Sequence, residues 1–178
     1  METTVQIKDK SFEISISSEK ILKEVKRMAE EINSDLVGTD PLFLVVLNGA
    51  FMFAADLMKQ VNIPCEISFV KLASYQGTTT TGKVKNLIGL NEDIKGRTVV
   101  VVEDIVDTGI TMEQIINSLD IYHPKQIRIA TFFHKPEALE KDIHLDYVGM
   151  NIANDFIVGY GLDYDGFGRN LADVYTLK

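Results

Sequence analysis

Three carboxylates crowd into Glu103-Asp104-Ile105-Val106-Asp107, and a run of small residues, Thr108-Gly109-Ile110-Thr111, follows directly. Ionised carboxylates only accept hydrogen bonds, so the adjacent pair Glu103 and Asp104 suits the vicinal hydroxyls of a sugar. The run from Thr108 to Thr111 can wrap an anion. Gly109 lets backbone come close to a ligand, and both threonines add hydroxyl donors to the amides. A helix that starts there would point its N-terminus at the same anion. An acidic edge beside such a cradle makes a site for a sugar phosphate. Asp107, just before the helix, is also placed to cap it.

These residues need elements to hold them. Val99 to Val102 reads as a buried strand that ends at the acidic pair, and Met112 to Leu119 as the helix after the cradle. Pro41 to Leu47 is a second continuous apolar strand. It ends at Asn48-Gly49-Ala50, and a helix continues from Phe51 to Gln60. Glu66 to Ala73 and Ile127 to Phe133 are further strands, and Phe12 to Ile16 is a short alternating one. Ser17 and Ser18 are N-cap candidates for a helix from Glu19 to about Leu36, whose apolar face runs Ile21, Leu22, Val25, Met28, Ala29, Ile32 and Leu36. Alternating strands and helices predict an α/β fold with a mostly parallel sheet. Ligands of such sheets bind beyond the carboxyl ends of the strands, which collects Asn48, Asp104 and Lys135 on one edge. After Lys141 the pattern breaks up. Tyr147 to Asn151, Phe156 to Tyr160 and Asp173 to Leu177 are short segments that suggest a small irregular hood.

The 178 residues fit one domain, read as a core of about 37–140 and a hood made of the N-terminal segment and about 141–178. The net charge is −8, with no Lys/Arg cluster, which weighs against nucleic acid as a partner. An acidic chain that binds an anionic substrate calls for a bridging metal cation. The single cysteine, Cys65, excludes an intramolecular disulfide and reads as a packing residue. The first residues carry no signal-peptide pattern, and no apolar run approaches the ~20 residues of a membrane span, so a cytoplasmic protein with no membrane partner is expected. His123, His134 and His144 show no metal-ligand spacing.

The run Val-Glu-Asp-Ile-Val-Asp-Thr-Gly-Ile-Thr from Val102 to Thr111 resembles the phosphoribosyl diphosphate signature of the type I phosphoribosyltransferases, most closely the hypoxanthine-guanine branch. The resemblance runs from about Phe12 to Leu177. It implies the type I phosphoribosyltransferase fold and transfer of a phosphoribosyl group from phosphoribosyl diphosphate to a 6-oxopurine, with Mg2+. Glu103 and Asp104 would grip the ribose, directly or through metal. Thr108, Gly109, Ile110 and Thr111 would hold the phosphate, and Asp107 would take the proton from the attacking base nitrogen. Relatives often carry Lys or Arg at the position of Ile110.

Leu47-Asn48-Gly49 resembles the family's diphosphate loop, which commonly holds a cis peptide at the bond matching Leu47-Asn48; many relatives have Lys where this chain has Asn48. Arg169 matches a second diphosphate contact, and its forked donors suit phosphate. Ser74-Tyr75 matches the start of a catalytic lid, within the polar loop Ala73 to Lys83. Lys135 matches the lysine that contacts the six-position oxygen, Phe156 the aromatic that stacks on the purine, and Ile157 a residue whose backbone meets the base edge. Asp163 matches a residue linked to the second magnesium and the base pocket. These contacts favour an oxopurine over adenine but do not rank hypoxanthine, guanine and xanthine. Members of the family are usually homo-oligomers, either dimers or tetramers.

Overall fold

Two sheets and three helices make up the computed structural model, which describes residues 4–72 and 87–178. In chain order the elements are β1 Thr4–Ile7, β2 Lys10–Ile16, α1 Ser18–Asp35, β3 Leu42–Val46, α2 Phe51–Gln60, β4 Glu66–Leu72, β5 Leu87–Ile88, β6 Thr98–Val106, α3 Ile110–Asp120, β7 Gln126–His134, β8 Tyr147–Asn151, β9 Ile157–Val158 and β10 Val174–Leu177. The large sheet has the order β5-β4-β3-β6-β7-β8. Its five strands from β4 to β8 are parallel, and β5 adds an antiparallel edge. This is the expected α/β architecture.

The central strands are covered on both faces, which is why they read as unbroken apolar runs. Leu42 to Val45 and Val99 to Val102 are wholly buried. One face packs on α1 and α2 through Phe43, Val45, Val100, Val102, Ile32 and Phe53, the other on α3 through Leu44, Val101, Met112 and Ile115. The apolar stripe of α1 goes inward as expected, with Ile21, Val25, Met28, Ala29 and Ile32 buried, but Leu22 remains half-exposed. Ser17 caps α1, its hydroxyl accepting from the Lys20 amide at 3.4 Å. Asp173, just ahead of β10, accepts from the Ser18 amide at 2.6 Å and ties the C-terminal strand to the same helix start.

The small sheet has the order β1-β2-β10-β9 and is antiparallel throughout. The N-terminal hairpin thereby pairs with the C-terminal strand. One boundary differs from the sequence expectation. Tyr147–Asn151, assigned from sequence to the hood, is β8, the last strand of the large sheet, paired with β7. Gly149 within this strand is a packing glycine. A Cβ on Gly149 would lie 2.6 Å from the Phe132 carbonyl oxygen and 2.8 Å from its ring, so β8 approaches β7 only without a side chain there.

Candidate active site

The carboxyl ends of β3, β4 and β6 open onto a cleft of about 460 Å3. Its walls include Leu47 and Gly49 after β3, Lys71 and Leu72 of β4, Glu103 to Gly109, Thr111 and Met112, and from the small-sheet side Asp163 and Arg169. Residues far apart in sequence meet here because three parallel strands end together.

The strand carrying the acidic run is longer than the apolar pattern suggested. It continues to Val106, because β7 keeps pairing with it: Glu103 lies opposite Thr131, Ile105 opposite Phe133 and Val106 opposite His134. Glu103 and Asp104 therefore sit inside the last turns of the ladder, held by sheet hydrogen bonds rather than by a loop. Glu103 is 6% exposed. Burial, and then the neighbouring Asp104 charge, raise its carboxyl well above the usual range; burial also raises Asp104, while the Arg169 charge pulls it back. Two acids side by side in a buried edge leave a deficit of positive charge.

The ladder also explains a meeting of Asp107 and Lys135. The Lys135 amide donates to the Val106 carbonyl at 3.0 Å, so the two residues leave their strands side by side. Lys135 Nζ stands 3.6 Å from Asp107 Oδ2, with the lysine side chain nearly buried and the aspartate half-exposed. Asp107 does not cap the following helix. The residue ahead of α3 is Gly109, at φ 82°, and no side chain caps that end. Helix α3 starts at Ile110, two residues before the expected point, so Ile110 and Thr111 belong to its first turn. The Thr108 hydroxyl accepts weakly from the Ile110 amide at 3.4 Å. The start of α3 borders the cleft, which Gly109, Thr111 and Met112 line, and a helix N-terminus there favours an anion. Gly109 lines the cleft and is closely packed as well. Its left-handed backbone and the 3.0–3.1 Å spacing of a Cβ from Leu139, Lys141 and Ile143 show that it packs against the protein.

The Leu47-Asn48 peptide is cis. Gly49 has no room for a side chain, because a Cβ would run into the Asp104 carboxylate; at Gly161, φ 98°, a Cβ would run into the Gly49 carbonyl. Small sheet, β3 loop and acidic strand are thus stacked in direct contact. Arg169 Nη1 donates to the Gly161 carbonyl at 2.7 Å, and Arg169 Nη2 pairs with Asp163 Oδ1 at 2.6 Å. The other Asp163 oxygen accepts from the Gly166 amide at 2.6 Å. Tyr160, next to Gly161, donates to Asp56 Oδ2 on α2 at 3.1 Å, a link no sequence pattern announced.

Other expected site residues lie off the cleft wall. Asn48 is in the β3 loop but does not line the cleft, and Ile110 is 40% exposed on α3. Phe156 is 47% exposed and leans on an aromatic group of the small sheet, 6.2 Å from Phe12 and 6.0 Å from Tyr164 between ring centres. Ile157 is nearly buried in β9, opposite Thr176. Ser74 and Tyr75 fall outside the described residues. Lys71, Leu72 and Met112 line the cleft and were not singled out from sequence. For Lys71 the signal was present in its place at the carboxyl end of a recognised strand; what was missing was that β4 lies next to β3.

Among the described residues no three His, Cys, Asp or Glu side chains converge on one point as a closed metal cage. The Glu103–Asp104 pair fits the other kind of site, in which one or two carboxylates hold Mg2+ and substrate oxygens and water complete the shell.

The family model of the phosphoribosyl transferase domain matches residues 16–165. The chain is similar to the hypoxanthine-guanine phosphoribosyltransferase of Streptococcus thermophilus, 40% identical over 166 residues that cover 93% of this chain and 92% of the relative. It is 36% identical to that of Mycobacterium tuberculosis over 171 residues, covering 92% and 85%. A crystal structure of a hypoxanthine phosphoribosyltransferase from Staphylococcus aureus superposes with a TM-score of 0.86 at 34% identity, covering 93% of this chain and 91% of that one. With these matches, a parallel sheet of the same form and an acidic strand edge beside an uncapped helix start, the chain belongs to the phosphoribosyltransferase family, among the hypoxanthine-guanine phosphoribosyltransferases of the type I fold.

Proposed function

We propose that this enzyme transfers the 5-phosphoribosyl group from phosphoribosyl diphosphate to hypoxanthine or guanine with Mg2+, giving IMP or GMP and diphosphate, in purine salvage. The observation that carries the reading is one cleft lined by the buried Glu103, its partly buried neighbour Asp104, the half-exposed Asp107, the start of α3 and Arg169.

The division of labour is the one the family resemblance implies, and the shared cleft supports it. Thr108 to Thr111, with the α3 amides, hold the 5-phosphate. Glu103 and Asp104 accept hydrogen bonds from the ribose hydroxyls. The loop Leu47 to Gly49 and Arg169 hold the diphosphate. Lys135, nearly buried, donates to the six-position oxygen of the base, which adenine lacks. Phe156, braced by Phe12 and Tyr164, offers its exposed face to the purine, and the Ile157 backbone reads the base edge. As the base nitrogen attacks the anomeric carbon, the glycosidic bond to diphosphate breaks. Asp107 takes the proton that the nitrogen must lose, with Lys135 Nζ standing 3.6 Å from its carboxylate. Glu103 and Asp104, with Asp163 once its pairing to Arg169 opens, would hold Mg2+. When bound, the metal offsets the charge of the departing diphosphate.

Among the described residues no helix is long and apolar enough to cross a membrane, and we place the enzyme in the cytoplasm. It works as a homo-oligomer, a reading supported by Ile67 and Phe69, neighbours on one face of β4 and each more than 40% exposed. Product formation with phosphoribosyl diphosphate and Mg2+ tests the function when hypoxanthine, guanine, xanthine, adenine and uracil are offered separately. Turnover confined to oxopurines is expected. Turnover with adenine or uracil, or with no base at all, contradicts it.

A further inference from the structure

Among the described residues the cleft presents four carboxylates, Glu103, Asp104, Asp107 and Asp163, against two cations, Lys71 and Arg169. Its substrate is a polyanion, so each cation matters. Arg169 is already committed, one guanidinium nitrogen to the Gly161 carbonyl and another to Asp163. Lys71 makes no ion pair with any described residue. Its place in the sheet is specific. β3 and β4 run parallel with Val46 opposite Val70, and the Leu47 amide donates to the Val70 carbonyl at 2.8 Å. Lys71 therefore leaves its strand beside Leu47-Asn48-Gly49, the loop read as holding diphosphate, where the one polar side chain is the neutral amide of Asn48.

We propose that Lys71 is a diphosphate-binding residue, supplying from the neighbouring strand the positive charge that the β3 loop lacks. A lysine suits this task as a compact charge on a flexible stem, able to follow the leaving group as charge develops on it. The inference rests on the phosphoribosyl-transfer reading for the identity of the anion, but not for the presence of an anion contact at this point of the cleft.

Calorimetric titration of magnesium diphosphate into the wild-type protein, Lys71→Ala, Lys71→Arg and the double variant Lys71→Ala with Asn48→Lys tests it without needing turnover. Lys71→Ala should weaken diphosphate binding on the order of tenfold, the scale of a lost charged hydrogen bond. Lys71→Arg should keep most of the affinity, and moving the lysine to position 48 should restore much of it. In the enzyme assay KM for phosphoribosyl diphosphate should rise in Lys71→Ala while KM for the base stays put. Unchanged diphosphate affinity in Lys71→Ala would overturn the proposal. So would a loss that neither arginine nor the relocated lysine repairs, since that marks a disturbed strand end rather than a missing charge. A wild-type protein that binds diphosphate through Lys71 yet turns over no oxopurine would sink the transfer reading and leave this one standing.

Discussion

In the large sheet, β3 and β6 are buried on both faces along Leu42 to Val45 and Val99 to Val102, and helices close over each side. In the small sheet a compact group, Ile7, Phe12, Val158 and Tyr175, forms the buried core, and Phe156 and Phe167 stay about half-exposed. Each contributes charged groups to one cleft, by different means. The large sheet fixes Glu103 and Asp104 by ladder hydrogen bonds. The small sheet fixes Asp163 and Arg169 by packing the backbone of Gly161 directly on Gly49, with Tyr160 tied to Asp56 alongside. A deep core can hold a site through many shared contacts. A thin one has to place it through a few close ones, so single substitutions there should act on chemistry more than on stability.

Among substitutions that touch no reacting group, Gly161→Ala should therefore cause the largest change in turnover. The φ of 98° already disfavours a side chain, and the Cβ would push Gly49, and with it the diphosphate loop, away from Asp163 and Arg169. A displacement near 1 Å at reacting groups costs about 10²-fold, and steady-state kinetics beside a melting curve would show kcat/KM collapsing while the fold survives. Wild-type kinetics would break the comparison. Ile32→Ala probes the other region. It empties a fully buried site between α1 and the large sheet, and should cost about 2–5 kcal/mol in denaturant unfolding with turnover at 25 °C close to wild type.

A smaller effect separates the acidic edge from the rest of the core. Glu103 is raised in the folded chain, so between the ordinary carboxylate range and that raised value the folded state holds more protons than the unfolded one. Stability then falls as pH climbs through that window. Glu103→Gln should flatten this slope in metal-free buffer and raise the melting midpoint at neutral pH by roughly 2–4 °C for each kcal/mol relieved, while lowering turnover. A midpoint that drops at every pH would mean that the buried carboxylate is satisfied by its surroundings.

Much of this was legible in the residues. Helix α2 starts at Phe51 and ends at Gln60 as read, because its flanking loop residues and apolar spacing are local signals. Ser17 caps α1 for the same reason. The misreadings share one cause, contacts between strands that no local window contains. β6 runs on through two carboxylates because β7 pairs with them, although Glu and Asp are poor strand formers. Tyr147 to Asn151 was read as part of the hood because its place beside β7, with Gly149 against Phe132, is a contact between strands. Asp107 looked like a helix cap, but Gly109 occupies that position and Lys135 arrives from the next strand. The acidic run, cradle and Arg169 were read as one site from a resemblance; Lys71 and the Gly49–Gly161 contact needed the neighbouring strand and the small sheet to be in place.

In the proposed reading the acidic strand edge divides its work, with Glu103 and Asp104 holding the sugar and Asp107 moving the proton. The most direct test is Asp107→Asn, measured for phosphoribosyl diphosphate affinity by calorimetry and for hypoxanthine turnover under saturating substrates. Affinity should stay near wild type while turnover falls by about 10²–10⁴-fold, the range of general base catalysis. Turnover that survives the substitution intact would contradict that division of work.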